Sequence, residues 1–238
     1  RGEVAPLGLV LADVALERDR EREERGVVEQ GGGEDELVPG LHEREERGHR
    51  QRRAGEREHH PEEDLGRRGA VHHRRLLELQ NGTYFHNHAL HLFGACESPP
   101  WHGLRAWNAP AAWRDAYGPA AEGLVFFAED AFGDQFAYRG TGGEVVGFGA
   151  ELGRVEPFAP SFAAWMEEMI DRPAAVLPVH VLAEERDKGR PHVPGTQLFA
   201  YPPLFSPEAR GGVSLGHVDA VEAMRFRGDL SRQIRDLP

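Results

Sequence analysis

The alternation of apolar and polar positions is clearest in residues 124–153, LVFFAEDAFGDQFAYRGTGGEVVGFGAELG. An apolar run at residues 124–127 has the length of a buried strand. Residues 135–138 place two aromatic side chains on one face, which predicts a second strand. Three glycines within residues 140–143 suit a tight turn before a third strand of valine and phenylalanine. The pattern therefore predicts a three-stranded antiparallel meander.

Helical spacing of apolar residues is clearest in residues 161–171. The apolar side chains recur at i, i+3, i+4, i+7 and i+8, with Ser161 placed as an N-cap and Pro173 as a stop. A second helical pattern covers residues 219–237 and is interrupted at Gly228. Together these elements predict an α+β fold in which helices flank a central antiparallel β-sheet.

Three histidines, His86, His88 and His91, lie in residues 81–93, which read as the first strand of the domain. On a strand, His86 and His88 share one face at a spacing that two zinc ligands can use, whereas His91 points away. The pattern leaves two interpretations open, a metal site or histidines at a solvent-facing edge or in a loop.

Four large aromatic residues crowd into the loop-rich residues 97–119: Trp101, Trp107, Trp113 and Tyr117. They are expected either to contribute to the core or to form an exposed recognition surface, where Trp and Tyr are strong anchors. Asn108 is placed to cap a short helix that begins with a proline at position 110.

Three carboxylates lie between the first two strands of the meander: Glu129, Asp130 and Asp134. Their spacing lacks the regular ligand repeat of a calcium-binding loop, although three carboxylates can hold calcium. A pair of them can also act as general acid and base. The remaining interpretation is an acidic turn that faces a basic partner.

Residues 1–80 contain only ten residue types, and all of them have codons that can begin with C or G. In a GC-rich gene the third position of a codon is almost always G or C. When such a gene is read in a shifted frame or on the opposite strand, that position becomes the first position of each codon. We therefore expect this Arg/Glu-rich segment to be a frame or strand artefact or a genuine disordered arm. Short helices are predicted only at residues 9–25 and 71–79.

The composition limits the classes of protein to which the chain can belong. All of the Phe, Trp and Tyr residues lie after position 80, so residues 81–238 are predicted to be the one folded domain. The net charge of −12 argues against nucleic-acid binding, and no apolar run approaches the roughly 20 residues of a membrane helix. A single cysteine suits a reducing cytoplasm, where we expect the protein to reside.

The motifs of residues 81–238 resemble the SUKH superfamily (Smi/Knr-like domains) in its bacterial branch. The resemblance is carried by WNAPAAWRDAYG, FFAEDAFGDQFAY, the VVGF strand, the PSFAAWMEEMIDRP helix and the C-terminal MRFRGDLSRQIRDLP. It implies an α+β fold with a central antiparallel sheet. The chain departs from the family pattern at the start, where residues 1–80 stand in place of the expected N-terminal helix.

Such a resemblance implies a cytoplasmic immunity protein that has no enzymatic activity and no cofactor. Bacterial members bind and neutralise a cognate toxin, often a nuclease or a deaminase. An acidic binder fits a basic nuclease because opposite fields speed encounter. The candidate contacts are five residues: Trp101, Trp107, Glu129, Asp130 and Asp134. Charge reversal of the three acidic residues is expected to weaken binding.

Two other functions remain open from the sequence. One alternative is a metal-dependent hydrolase that uses the histidines at 86–91 or the carboxylates at 129–134. The other alternative is a non-functional gene fragment. The identity of a partner and the oligomeric state do not follow from the sequence.

Overall fold

The computed structural model describes residues 71–95, 102–140 and 142–235, and in these residues the strands form two antiparallel sheets. The larger sheet has six strands in sequential order: β1 (Thr83–Phe85), β2 (Leu90–Leu92), β3 (Leu124–Asp130), β4 (Gln135–Arg139), β5 (Val145–Gly149) and β6 (Arg154–Ala159). The smaller sheet is a hairpin of β7 (Thr196–Tyr201) and β8 (Ser214–Asp219).

Helices precede, interrupt and follow the sheets. They are α1 (Val71–Leu79), α2 (Leu104–Trp107), α3 (Asp115–Tyr117), α4 (Phe162–Asp171), α5 (Pro173–Val176), α6 (Val179–Asp187) and α7 (Ala220–Arg235). A π-helical turn (Pro110–Arg114) leads into α3, and 3-10 turns follow at Gly118–Ala121 and Pro207–Gly211. Within the described ranges, no helix is long and apolar enough to cross a bilayer.

The α+β fold and the central meander are confirmed. Strands β3, β4 and β5 begin at the predicted residues, and β3 extends to Asp130 because its second half pairs with β2. Strand β6 was not predicted. It contains Pro157 and forms an edge of the sheet, which is where a strand tolerates a residue without a backbone N–H.

The single strand predicted for residues 81–93 is wrong, because the segment folds into the β1–β2 hairpin. His86, Asn87 and His88 form its turn with positive φ values of 51°, 56° and 71°. His and Asn enter this left-handed region more readily than most residues other than glycine, so the turn forms without glycine. The histidines therefore do not share a strand face.

Each face of the larger sheet packs on its own aromatic cluster, because adjacent residues of β3 point to opposite sides. Phe126 contacts Trp113 and Phe148, with ring centroids 4.8 and 5.4 Å apart. Phe127 contacts Trp165 of α4 on the other face at 4.9 Å. The predicted N-cap of α4 is confirmed, since Ser161 Oγ accepts a hydrogen bond from Ala164 N.

The helix predicted at residues 71–79 is present as α1, and it packs on the folded domain although the sequence placed the domain boundary after residue 80. His73 and Leu76 are buried, and the ring of His73 stacks on Phe162 at 4.7 Å. A helix therefore packs on the domain before its first strand. The other predicted helix, at residues 9–25, lies outside the described residues.

Helix α7 runs through Gly228 without the predicted interruption. An ideal Cβ at this position would lie 2.7 Å from Ala116 Cβ and 2.9 Å from the Ala116 carbonyl carbon. Glycine is therefore required for close packing of α7 on the helical segment that contains α3. Asp219 starts the helix, because its Oδ1 accepts hydrogen bonds from Val221 N and Glu222 N.

Replacing Gly228 with alanine is expected to destabilise the protein. Alanine has the better helix propensity, by about 1 kcal/mol, but the contact with backbone forces α7 outward, and overpacking of this kind costs about 1–3 kcal/mol. The net loss is measured by urea unfolding. The G228A/A116G double variant is expected to recover part of it, and a G228A variant more stable than the parent would contradict the packing argument.

Candidate functional site

Three chain connections meet at one end of the larger sheet, since every second turn of an antiparallel meander lies at the same end. The β3–β4 loop is joined to the β1–β2 hairpin by a hydrogen bond from Ala131 N to Ala89 O (3.2 Å). Ala150 N, at the β5–β6 turn, donates to Asp134 Oδ1 (2.8 Å). Strand β7 reaches the same loop through Leu198 N and Ala131 O (2.7 Å).

Asp130 organises the β3–β4 loop. Its Oδ1 accepts hydrogen bonds from Phe132 N and Asp134 N, both at 2.9 Å, which is the local bonding that makes aspartate common in turns. Burial and the nearby charge of Asp134 raise the pKa of Asp130 well above its ordinary value. Asp130 and Asp134 are thus fixed side by side by backbone donors.

A cavity of about 460 Å³ lies beside this loop. Its walls include the apolar side chains of Phe132, Phe136 and Phe158, and the rings of Phe136 and Phe158 meet edge to face at 5.1 Å. A concave volume of this size with aromatic walls is typical of a ligand-binding pocket.

Acidic groups outnumber basic groups around the cavity. Four carboxylates and two guanidinium groups contribute to its lining: Asp130, Asp134, Glu151, Glu156, Arg154 and Arg227. Within the part of the chain that the structure describes, none of these six residues takes part in an ion pair. The negative charge of the cavity is therefore not neutralised by direct partners.

A buried hydrogen-bond network lies behind the cavity and is centred on Glu129, which is 4% exposed. Its Oε2 accepts from Gln197 Nε2 (2.8 Å) and Gln135 Nε2 (3.2 Å), and its Oε1 lies 3.3 Å from His91 Nδ1. Burial alone would raise the pKa of Glu129, but these hydrogen bonds outweigh burial and lower it. Glu129 therefore remains a carboxylate inside the protein.

Arg227 continues this network from α7 and closes one side of the cavity. It is 4% exposed, and its guanidinium donates to Gln197 Oε1 and to Leu198 O (2.9 Å). It also lies over the ring of Phe199 at 4.8 Å. Its hydrogen bonds go to neutral acceptors, so Arg227 serves chiefly to join α7 to β7.

Glu151 holds the apolar rim of the cavity. Its two carboxylate oxygens accept hydrogen bonds from Leu204 N (3.0 Å) and Phe205 N (3.1 Å). Leu204 is 47% exposed and Phe205 is 40% exposed. The carboxylate therefore fixes the backbone of two large apolar residues at the surface, and Leu204 also lines the cavity.

The histidines predicted as a metal set are directed to three different neighbours. His86 Nε2 lies 2.8 Å from Met169 O, His88 Nδ1 lies 3.4 Å from His192 O, and His91 contacts Glu129. Among the described residues no group of three or more His, Cys, Asp or Glu side chains is arranged to hold a metal ion. This covers both the histidine set and the carboxylates at 129–134.

The predicted contact residues that the structure describes do not form one surface. Trp101 lies outside the described residues, and Trp107 is 1% exposed with its Nε1 donating to Gln135 Oε1 (2.8 Å). Glu129 is equally interior, so neither side chain is presented to a partner. Asp130 and Asp134 do come together at the cavity. Trp107 follows the core interpretation of the aromatic cluster, as do Trp113 and Tyr117.

Sequence reasoning missed Glu151, Phe158, Leu204 and Arg227. They come from the β5–β6 turn, an edge strand, a loop and the C-terminal helix, and no local spacing connects these four segments. Only for Glu151 was a signal present, because it follows the third strand of the meander as Glu129 and Asp130 follow the first.

Comparison of the chain with protein-family models, with curated proteins and with solved structures finds no match. The site is therefore defined by its own geometry, an acidic cavity with aromatic walls and an exposed apolar rim.

Proposed function

We propose that this protein is a cytoplasmic binding module that neutralises a cognate protein toxin by direct contact. The proposal starts from the resemblance of its motifs to bacterial SUKH domains and needs neither enzymatic activity nor a cofactor. The observation that carries it is the acidic cavity with its exposed apolar rim.

The rim supports a protein partner rather than a small solute. Leu204 and Phe205 keep about half of their surface in water. Large apolar and aromatic side chains that stand together at a surface are typical of interaction sites, where they act as anchors. Their backbone is held by Glu151, so little conformational freedom is lost when a partner covers them.

The charge of the site supports a basic partner. The chain carries a net charge of −12, and the cavity concentrates carboxylates that have no ion-pair partner among the described residues. Opposite charge on the partner speeds association and selects against acidic competitors. A nuclease that binds nucleic acid through a basic surface has the required charge.

Co-expression tests this function. Nuclease or deaminase domains encoded beside the gene are expressed in a bacterial host with and without this chain, and growth is recorded. The chain is expected to restore growth against one of them, and the purified pair is expected to form a complex by calorimetry. If the folded chain neither restores growth nor binds any neighbouring toxin domain, the proposal is wrong.

Two matched variants locate the contact. L204D/F205D introduces two charges on the rim, at residues that are 47% and 40% exposed, and is expected to weaken binding about tenfold or more. V193D/I170D makes the same change at residues that are 46% and 40% exposed but do not line the cavity, and is expected to leave binding unchanged. Equal effects of the two variants would argue against the rim.

A further inference from the structure

The carboxylates of the β3–β4 loop each use one of their two oxygens to hold the fold. Asp130 Oδ1 accepts two backbone N–H groups, and Asp134 Oδ1 accepts one. Within the described residues, Oδ2 of neither side chain makes a hydrogen bond. Both side chains line the cavity, and each has a second oxygen that the hydrogen bonds of the loop do not use.

We propose that this cavity receives one arginine side chain of the partner, with its guanidinium held by Asp130 and Asp134. The inference rests on the proposed function and names the group that the site recognises. A guanidinium is planar and presents N–H groups as a fork, which suits two adjacent carboxylates better than the point charge of a lysine ammonium.

The aromatic walls favour the same group. The rings of Phe136 and Phe158 line the cavity, and Phe132 belongs to the same loop as the carboxylates. Guanidinium groups stack on aromatic rings and are more weakly hydrated than ammonium groups, so they lose less on entering such a cavity. The apolar part of an arginine side chain contacts Leu204 at the rim.

The unbalanced charge of the cavity points to a cationic occupant. Burial and the neighbouring Asp134 raise the pKa of Asp130, and the pKa of Asp134 is also raised, by burial, although the charge of Arg227 acts to lower it. Arg227 is committed to Gln197 and Leu198. An entering guanidinium supplies the missing positive charge.

The first test uses peptides and the full chain. A short glycine-rich peptide that contains one arginine is titrated into the protein and followed by two-dimensional NMR, with the citrulline peptide as the uncharged control of equal shape. The arginine peptide is expected to shift the amide signals of residues 130–134 and 147–151, and the citrulline peptide is not. Equal shifts from both peptides, or none from either, would overturn the inference.

The matched variants remove charge without removing the turn. In D130N/D134N each amide keeps the Oδ1 acceptor that the backbone uses, so the fold is retained, as a thermal melt checks. The affinity for the arginine peptide is expected to fall about tenfold or more. E184Q/D187N makes the same change of net charge on exposed residues of α6 and is expected to bind normally. Unchanged affinity of D130N/D134N would overturn the proposal.

A second arm separates this inference from the proposed function. Neutralisation of the toxin by D130N/D134N with an unchanged Kd would overturn the arginine site and leave the immunity function standing. A large rise in Kd for D130N/D134N, with none for E184Q/D187N, supports the arginine site. If the wild-type chain binds the arginine peptide but no toxin, the cavity chemistry is supported and the proposed function is wrong.

Discussion

Replacement of Asn108 by leucine is expected to lower the free energy of unfolding by about 3 kcal/mol or more. Asn108 is 3% exposed, and its side chain makes three hydrogen bonds to backbone. Oδ1 accepts from Phe126 N (2.8 Å), and Nδ2 donates to Phe126 O (2.7 Å) and Leu104 O (2.8 Å). Leucine has a similar size but leaves Phe126 N and Phe126 O without a partner, and Leu104 O keeps only the backbone N–H of residue 108.

The loss is large because the side-chain amide of Asn108 makes the backbone hydrogen bonds that a neighbouring strand normally makes. Strand β2 pairs with β3 only at Ala128, Glu129 and Asp130, so the backbone of Phe126 lies beyond the end of β2. The side-chain amide of Asn108 supplies the donor and the acceptor that a longer β2 would have supplied. Arg114 Nη1 in turn donates to Asn108 O (2.9 Å) and holds the segment in place.

Chemical unfolding with urea measures this effect, and two variants sharpen it. N108D keeps the acceptor for Phe126 N but places a carboxylate against two carbonyl oxygens, so it is expected to be no more stable than N108L. Q233L makes the same amide-to-leucine change at an exposed position of α7 and is expected to stay within about 0.5 kcal/mol of the parent. A stable N108L protein would contradict the bridging role.

Local patterns predicted those elements whose burial follows a regular period. The meander alternates along each strand, and α4 carries an apolar stripe between a cap and a proline, so both were predicted from a few residues. The role of Asn108 was predicted incorrectly. It ends α2 and bridges to β3, whereas the sequence indicated a cap for the next helix, because asparagine two residues before a proline fits both situations equally well.

The candidate site was less predictable because it is assembled from distant segments. Gln197 and Glu129 are 68 residues apart in the chain, and Arg227 and Gln197 are 30 apart. The periodicity of apolar residues along the sequence does not predict contacts between residues so far apart in the chain. Asp130 and Asp134 were found because both belong to one acidic loop, whereas Glu129 alternates to the interior and Trp107 packs inside the aromatic cluster.

His73 is expected to make the protein sensitive to acid, and H73F is expected to be more stable than the parent. The ring of His73 is 0% exposed, and neither nitrogen has a hydrogen-bond partner in the described structure. Its neighbours are Phe162, Phe127 and Tyr138, with ring centroids 4.7, 5.3 and 6.0 Å away. An unpartnered buried polar group costs about 1–3 kcal/mol, which phenylalanine avoids while keeping the stacking.

The pH dependence follows from the same burial, which lowers the pKa of His73 from 6.5 to about 3. The folded state therefore binds fewer protons than the unfolded state between these pH values. The stability is fully present above about pH 6.5 and falls as the pH drops toward 3, by about 1.4 kcal/mol per pH unit. His192 adds in the same direction, because burial, His217 and His88 lower its pKa to about 4.

Urea unfolding of the parent and H73F at pH 7.5, 6 and 5 measures both effects. H73F is expected to be more stable than the parent at pH 7.5 and to lose less stability than the parent on acidification. The titration of His192 accounts for the pH dependence of the free energy of unfolding that remains in H73F. H180F, at an exposed position of α6, is expected to follow the parent. The gain also bears on the origin of this segment, because position 73 lies within residues 1–80, for which a frame or strand artefact is one of the two interpretations of the sequence. A histidine with two unpartnered nitrogens among three aromatic rings is a poor local fit, as that hypothesis expects of a residue not selected for its site. If H73F is less stable than the parent and keeps its full acid sensitivity, the ring nitrogens of His73 contribute to the fold and the helix has the sequence that this site requires.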